Sequence, residues 1–598
     1  MTLVKLIFIF FFTLLVSFVK ANEVKIIELH TNKSLDQLVL ETTDKKEKEI
    51  EEDIEDKNTL DIQQINDKEK NNKDSDQIID NTDITDDTVL LINNETILDL
   101  DEVILNKYLD SITSISSKVL RSEFINILAN AKIDNENFTG EKIYYIIKKL
   151  YELGEIQKAY NLVKQINSSN IIESNYLNYF YLIELNFLYS SYKLEEVCDL
   201  KSILLEKNII LPNKLIEKTD IFCLTLENNI SEAKLLNSLL LEIENDDVFQ
   251  KLLNYMIVNE KNNNFQTINI VNSKELIFLY SAMLRINELP LDENFIKIDP
   301  LNLSIPVILS KSTRMNTRIK AANRAYFDKA ISINSLSALY QSVDFNSDEF
   351  NQPEKTLSKI KDKEMAMAFY YQLANMQIFP DDRLNVILEY WNFSKKMGLE
   401  EIAFKITEKI IDTFEPSAEN SKFAIEIASA HIANENYEDA QNWISVAELS
   451  SASIENIEYL KFLLDLNKNN ELSTIEKYLK NNFNQTSQIK DQFTLESIEV
   501  VKNFLTNKTN TEFNLFYENI TDARLMPSYF LMREIEYNAD KKNDLPLLFL
   551  SIISIQSKKW IELHPEHLKL ILSSLSLYDD GNLTKDIILE ILNELGIF

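Results

Sequence analysis

The sequence predicts an all-α fold made of repeated helical hairpins, and three observations carry that expectation. The first is a scarcity of turn formers: 598 residues hold only five Gly and ten Pro. Sheets with many tight turns need positions of positive φ, usually supplied by Gly, so a Gly-poor chain favours helices joined by short polar links. The second is an apolar pattern of helical period that sets in near Leu100 and persists from there on. The third is recurrence. "YELGEIQKAYNLVKQI" (residues 151–166) reads as the end of one helix, a turn at Gly154, and a second helix with Ala159, Val163 and Ile166 on one face.

"YKLEEVCDLKSIL" places Val197 where Ala159 stood, 38 residues on, and "NNISEAKLLNSLL" places Ala233 there after 36 more, with Leu236 and Leu240 following. Further along, Ala403, Ala440 and Ile475 repeat the pattern at intervals of 37 and 35 residues, and Ile444 and Ala447 extend the Ala440 face. A slender residue early in the second helix lets neighbouring helices approach closely. Two helices per 35–38 residues mark an α-solenoid, so the expected architecture is a right-handed α-solenoid of helical hairpins.

Taken in order, residues 1–21, "MTLVKLIFIFFFTLLVSFVKA", have the parts of a signal peptide: Lys5 in a basic start, an apolar run from Leu6 to Val19, and Val19 and Ala21 before a cut. The run falls short of the roughly 20 residues that span a bilayer. The alternative is an uncleaved anchor in the inner membrane, since Lys20 is unusual so near a cut. No Cys follows the cut, so a lipid anchor is not indicated.

Residues 22–100 hold 23 Asp and Glu against nine Lys, a net of −14, and no aromatic residue stands in the densest part, 43–88. Such a stretch cannot bury enough apolar surface to offset its ordering entropy, so it is expected as an acidic, largely disordered leader. An N-terminal helical array is expected over 101–290 and a C-terminal one over 313–598. Between them, 291–312 is expected as a Pro-containing junction, because Pro removes a helical donor and clashes with the preceding turn. The final hairpin is expected to turn at Gly581.

"NENYEDAQNWISVA" (434–447) resembles the turn and second helix of a tetratricopeptide repeat, with Tyr437, Ala440, Ile444 and Ala447 in place. Gly154, Ile156, Ala159, Val163 and Ile166 are similar. The period runs slightly long, the closing proline is missing, and the first helices lack the Trp/Gly/Tyr signature, so the units are tetratricopeptide-like. A longer stretch, from "TRIKAANRAYFDKAISINSLSALYQSVDF" (317–345) into "MAFYYQLANMQIFPDDRLNVILEYWNFSKKMGLEEIAFK", resembles a family of uncharacterised exported helical proteins of alphaproteobacteria. That resemblance implies a periplasmic address and no activity.

The formal charge of −33 repels phosphate backbones, which argues against nucleic acid as a partner, and against a bare anionic membrane surface. Cys198 and Cys223 are either a disulfide between adjacent helices or two buried thiols. Of four His (His30, His431, His564 and His567), the pair in "HPEH" has a spacing that can place two metal ligands on one helix face. Pro565 and Glu566 suit the first turn of a helix better, and no third ligand is near. No phosphate loop, nucleophile elbow or Cys–His pair is present in sequence, so no catalytic residue, cofactor or metal is assigned.

Arg314, Arg318, Lys320 and Arg324 fall within eleven residues of a chain with eight Arg, and Arg314 and Arg318 are four apart on one helix face. They are candidates for docking an acidic partner, or for salt bridges inside the array. Tyr144, Tyr145, Tyr151, Phe180 and Tyr181 stand at helical spacings that suit either a groove or a core. The expected function is a non-catalytic periplasmic protein-interaction scaffold serving envelope, secretion or motility components, its partner unidentified. The alternatives are a cell-wall-acting enzyme or accessory using groove carboxylates, and a tethered spacer if the signal is not cut.

Overall fold

The computed structural model describes residues 97–595, apart from 132–138, 168–173, 259–273, 292–294, 296–297, 300–301, 328–329, 451–453, 470–471, 483–491, 507–523 and 579–581. The expected signal peptide, nearly all of the acidic leader, His30, and the turns expected before Ile475 and at Gly581 lie outside the described residues. Among the described residues the fold is all-helical, and the one β-type pairing is an isolated bridge between Leu525 and Leu563.

In chain order the helices are α1 (Glu102–Ser111), α2 (Lys118–Ala129), α3 (Gly140–Glu152), α4 (Ile156–Asn167), α5 (Ser174–Ser190), α6 (Leu194–Glu206), α7 (Leu215–Leu226), α8 (Ile230–Ile243) and α9 (Asp247–Val258). They continue with α10 (Ile277–Ile286), α11 (Ser304–Leu309), α12 (Met315–Phe327), α13 (Ile333–Gln341), α14 (Ser347–Asn351), α15 (Pro353–Lys359), α16 (Lys363–Met376), α17 (Pro380–Lys395) and α18 (Glu400–Ile411). The last are α19 (Ala424–Ala433), α20 (Tyr437–Glu448), α21 (Ile454–Asn469), α22 (Leu472–Asn482), α23 (Gln492–Thr506), α24 (Tyr529–Lys541), α25 (Asp544–Ile555), α26 (Pro565–Leu575) and α27 (Asn582–Glu594).

Among the described residues one turn geometry recurs eight times, at Asn208 and Glu288 and, joining the two helices of a hairpin, at six further positions. Gly154, Tyr192, Asn228, Gly398, Glu435 and Lys542 all lie in the left-handed region, with φ between 57° and 86°. In every case the next residue's N–H donates back five residues, as Glu155 does to the Leu150 carbonyl and Asn436 to that of His431, at 2.8–3.0 Å. This is the six-to-one bond that closes a helix C-terminus and satisfies an orphan carbonyl. Five residues after each left-handed position comes the packing residue of the second helix: Ala159, Val197, Ala233, Ala403, Ala440 or Leu547. All six are fully buried, as are Ile444 and Ala447. The pairs α3–α4, α5–α6, α7–α8, α17–α18, α19–α20 and α24–α25 are thus hairpins of one design.

The structure divides into two compact units, one holding the described residues of 333–450 and the other those on both sides of it in sequence. In the first, Gln372 of α16 donates its amide to the Tyr340 and Val343 carbonyls at 2.8 Å, and Trp391 of α17 donates to Thr407 of α18 at 3.0 Å. In the second, α25 and α27 pack on α1 and α2. The Phe549 ring meets Tyr108 and Phe124 edge-on at 5.8 and 5.2 Å. Glu590 accepts from Ser117 Oγ and from the Lys118 N–H at 2.6 Å, a carboxylate at the positive end of α2.

Residues 291–312 do not separate these units. Helices on both sides of that segment belong to the second unit, because the segment is tied into it. The Leu291 N–H donates to Thr313 Oγ1 at 2.9 Å, and Asn302 accepts from the Ile156 N–H at 3.2 Å while donating to the Tyr151 carbonyl. Cys198 of α6 and Cys223 of α7 form a disulfide across a Cα separation of 5.6 Å, joining consecutive hairpins.

Two predictions follow from the turns and the bridge. No atom lies within 4 Å of a Cβ built on Gly398, so Gly398→Ala tests backbone strain alone. It is expected to cost about 1 kcal/mol, and Glu435→Gly to gain about 0.5–1 kcal/mol, in urea unfolding. Opposite signs or no effect would refute the shared turn. Replacing Cys198 and Cys223 together by Ser releases a loop whose closure is worth about 3 kcal/mol, to be measured as the drop in unfolding free energy against the oxidised chain.

Candidate interaction surface

The four basic residues singled out in sequence do not share one surface. Arg314, Lys320 and Arg324 are exposed, but Arg318 is only 8% exposed. Its Nε donates to the Ile308 carbonyl at 2.8 Å. The short helix α11 ends in carbonyls without helical partners, and a guanidinium from the next helix satisfies one of them. Arg318 therefore braces the α11–α12 hairpin, and the exposed set is the other three.

The aromatic residues divide in the same way. Phe180 and Tyr181 are buried, and Tyr181 accepts from Lys207 Nζ at 2.7 Å. Tyr151 accepts from Asn186 at 3.1 Å, and burial pushes its hydroxyl above the ordinary range. Tyr144 is half-buried, stacked on Tyr176 with ring centroids 4.9 Å apart. Beside it, Tyr145 donates to Glu141 at 2.7 Å, which holds that carboxyl below its usual range. Glu102 is held above its range, first by loss of water and then by Glu141, and Thr139 donates to it at 3.0 Å. This carboxyl pair joins the start of α1 to the start of α3.

His564 and His567 serve different ends of one helix start. His564 caps α26, its Nδ1 accepting from the Glu566 N–H at 3.2 Å, with Pro565 in the first turn. His567 is fully buried, with Nε2 2.9 Å from Ser554 Oγ. The Ser554 hydroxyl gives its proton to the Ser551 carbonyl at 2.7 Å, so Nε2 is the donor to Ser554, and burial, which lowers the ring's affinity for a second proton, favours the neutral form. Both side chains are sealed from solvent, so the pair braces α25 against α26 and offers no nucleophile. Among the described residues, no three His, Cys, Asp or Glu are grouped to hold a metal ion.

Other polar groups are locked within the second unit. Lys218 of α7 is fully buried and binds Glu244 and Asp246, each at 2.8 Å. Asp246 also accepts from the Phe249 N–H at the start of α9 and from the Tyr280 hydroxyl. These partners hold its carboxyl below the usual range in spite of burial. A charged Lys with two carboxylates and a phenol stays paired inside the fold.

What sequence reasoning missed is a set of exposed apolar side chains. On α8, Leu235, Leu239 and Ile243 are exposed, and Ile203 and Ile210 are exposed at the end of α6 and just beyond it. Around α24, Met526, Tyr529, Phe530 and Tyr537 are exposed, and the turn before α17 exposes Ile378 and Phe379. A signal for α8 was present in "ISEAKLLNSLLLEI", which is apolar on more sides than one buried face can use. No family model, no curated protein and no solved structure matches this chain.

Burial pushes His567 down to about 4 from 6.5. The unfolded chain takes up that proton first, so the stabilisation is complete above pH 6.5 and is lost as pH falls towards 4, by about 3 kcal/mol. Thermal melts between pH 7 and 4 should show a steeper acid limb for the native chain than for His567→Gln. Parallel limbs would refute the assignment.

Proposed function

We propose that this protein is a non-catalytic interaction scaffold, a right-handed α-solenoid of tetratricopeptide-like hairpins exported to the periplasm. The observation that carries the reading is the hairpin design repeated six times, in which one helix is packed through a slender or aliphatic residue. Stacked hairpins use their inner faces on one another and leave long helical surfaces for protein segments. Exposed Leu, Ile, Tyr and Phe on several of those helices fit such a use. A disulfide between consecutive hairpins fits an oxidising compartment, and the signal-like residues 1–21 supply the route.

The test is photo-crosslinking in living cells from residues introduced at exposed positions such as Leu239, Phe379 and Phe530. One or a few defined envelope proteins should crosslink reproducibly, and none from buried Ala440. Absence of crosslinks from every exposed position would overturn the reading. Fractionation with N-terminal sequencing decides the address: a chain starting at Asn22 in the periplasm is expected, and one starting at Met1 in the membrane would refute cleavage.

The cell-wall alternative has one feature in its favour, the adjoining Glu102 and Glu141, whose carboxyls are shifted in opposite directions. Release of muropeptides from purified cell wall, abolished by Glu102→Gln, would establish it.

A further inference from the structure

The outer side of α8 carries more apolar surface than a solvated helix needs. Leu235, Leu239 and Ile243 recur every four residues, forming one stripe, and they are 61%, 50% and 72% exposed. Leu236 borders the stripe half-buried, and Ala233 and Leu240 are sunk on the inner side. Glu232 and Glu242 stand exposed near the two ends of the stripe, about 15 Å apart along the axis at helical rise. The helix is fixed in this orientation. Asn237 and Gln250 of α9 exchange amide hydrogen bonds at 2.7 Å, and Glu244 just beyond the C-terminus holds buried Lys218.

We propose that the stripe docks a cationic amphipathic helix of a partner protein, with Lys or Arg at both ends of its apolar face seated on Glu232 and Glu242. The inference rests on the scaffold reading and narrows it to one surface and one partner chemistry. A straight apolar stripe of helical period is matched in length and spacing by another helix. Two carboxylates bracketing it, on a chain of net charge −33, draw in cations and repel an anionic membrane. A second copy is disfavoured on the same ground: antiparallel α8 helices would set Glu232 of one against Glu242 of the other.

Fluorescence anisotropy on the full chain tests this with two labelled helical peptides of identical Leu stripe, one ending in Lys on both sides and one in Glu. The Lys-ended peptide is expected to bind, and the Glu-ended one to bind at least about tenfold more weakly. Leu235→Ser combined with Leu239→Ser should lower affinity about tenfold or more with the cooperative melting transition retained, since half or more of each side chain is already in water. Glu232→Lys combined with Glu242→Lys should reverse the preference towards the Glu-ended peptide. Equal binding of both peptides, or binding indifferent to these variants, overturns the proposal. So does a dimer, seen by light scattering, that Leu239→Ser abolishes. If the α8 variants leave the in-cell crosslinks from other surfaces intact and change none at α8, this site fails while the scaffold reading stands.

Discussion

Each hairpin depends on a single backbone event: a residue held in the left-handed region, so that the chain reverses and the next N–H bonds five residues back. The second helix then begins at a fixed distance from the first, and its fourth residue is delivered into the interface. Because the bond is between backbone groups, its geometry is the same whether the turn residue is Gly154, Tyr192, Glu435 or Lys542. A non-Gly residue there costs roughly 1–2 kcal/mol, a strain that persists only where packing on both sides holds the turn. The buried Ala residues supply that packing by letting helix backbones come close.

A second constraint acts over a much longer stretch of chain. Glu590 reaches the start of α2 across 473 residues, and Tyr578 donates to Glu123 across 455. One apolar cluster contains both Phe124 and Phe549, so the first helices and the last share a core. Edge-on ring pairs of this kind add about 0.5–1.5 kcal/mol each beyond their burial. Stability in this unit is therefore not purely a sum over neighbours along the sequence. Closing such contacts carries a loop entropy that grows only slowly with length, which is why a separation of hundreds of residues is tolerable.

The helical class and the packing positions were legible because they follow from local spacing: the position of Ala159 reappears in place at Val197, Ala233, Ala403 and Ala440, and as Ala at three of these four. The Lys542–Leu547 hairpin was missed, since neither residue type announces a left-handed turn or a close approach. The junction expected from Pro at 291–312 was not a division between units, because side chains of Asn302 and Thr313 bind it to neighbours that no local pattern reveals. Arg318 was legible as a cation on a helix but not as an inward one, since its direction is set by the open carbonyl of Ile308. The α8 stripe was visible as an excess of Leu, and only the fold shows which of those Leu stay in water.

The disulfide has a mechanical meaning. Under tension, each residue drawn out of a helix lengthens the chain towards its extended span. The Cys198–Cys223 bond takes the 24 residues between its ends out of the load path. At about 3.3–3.6 Å per extended residue, that withholds roughly 80 Å of extension until the bond is reduced. Until then those residues cannot be drawn out, and the force–extension response of this chain becomes a function of its redox surroundings.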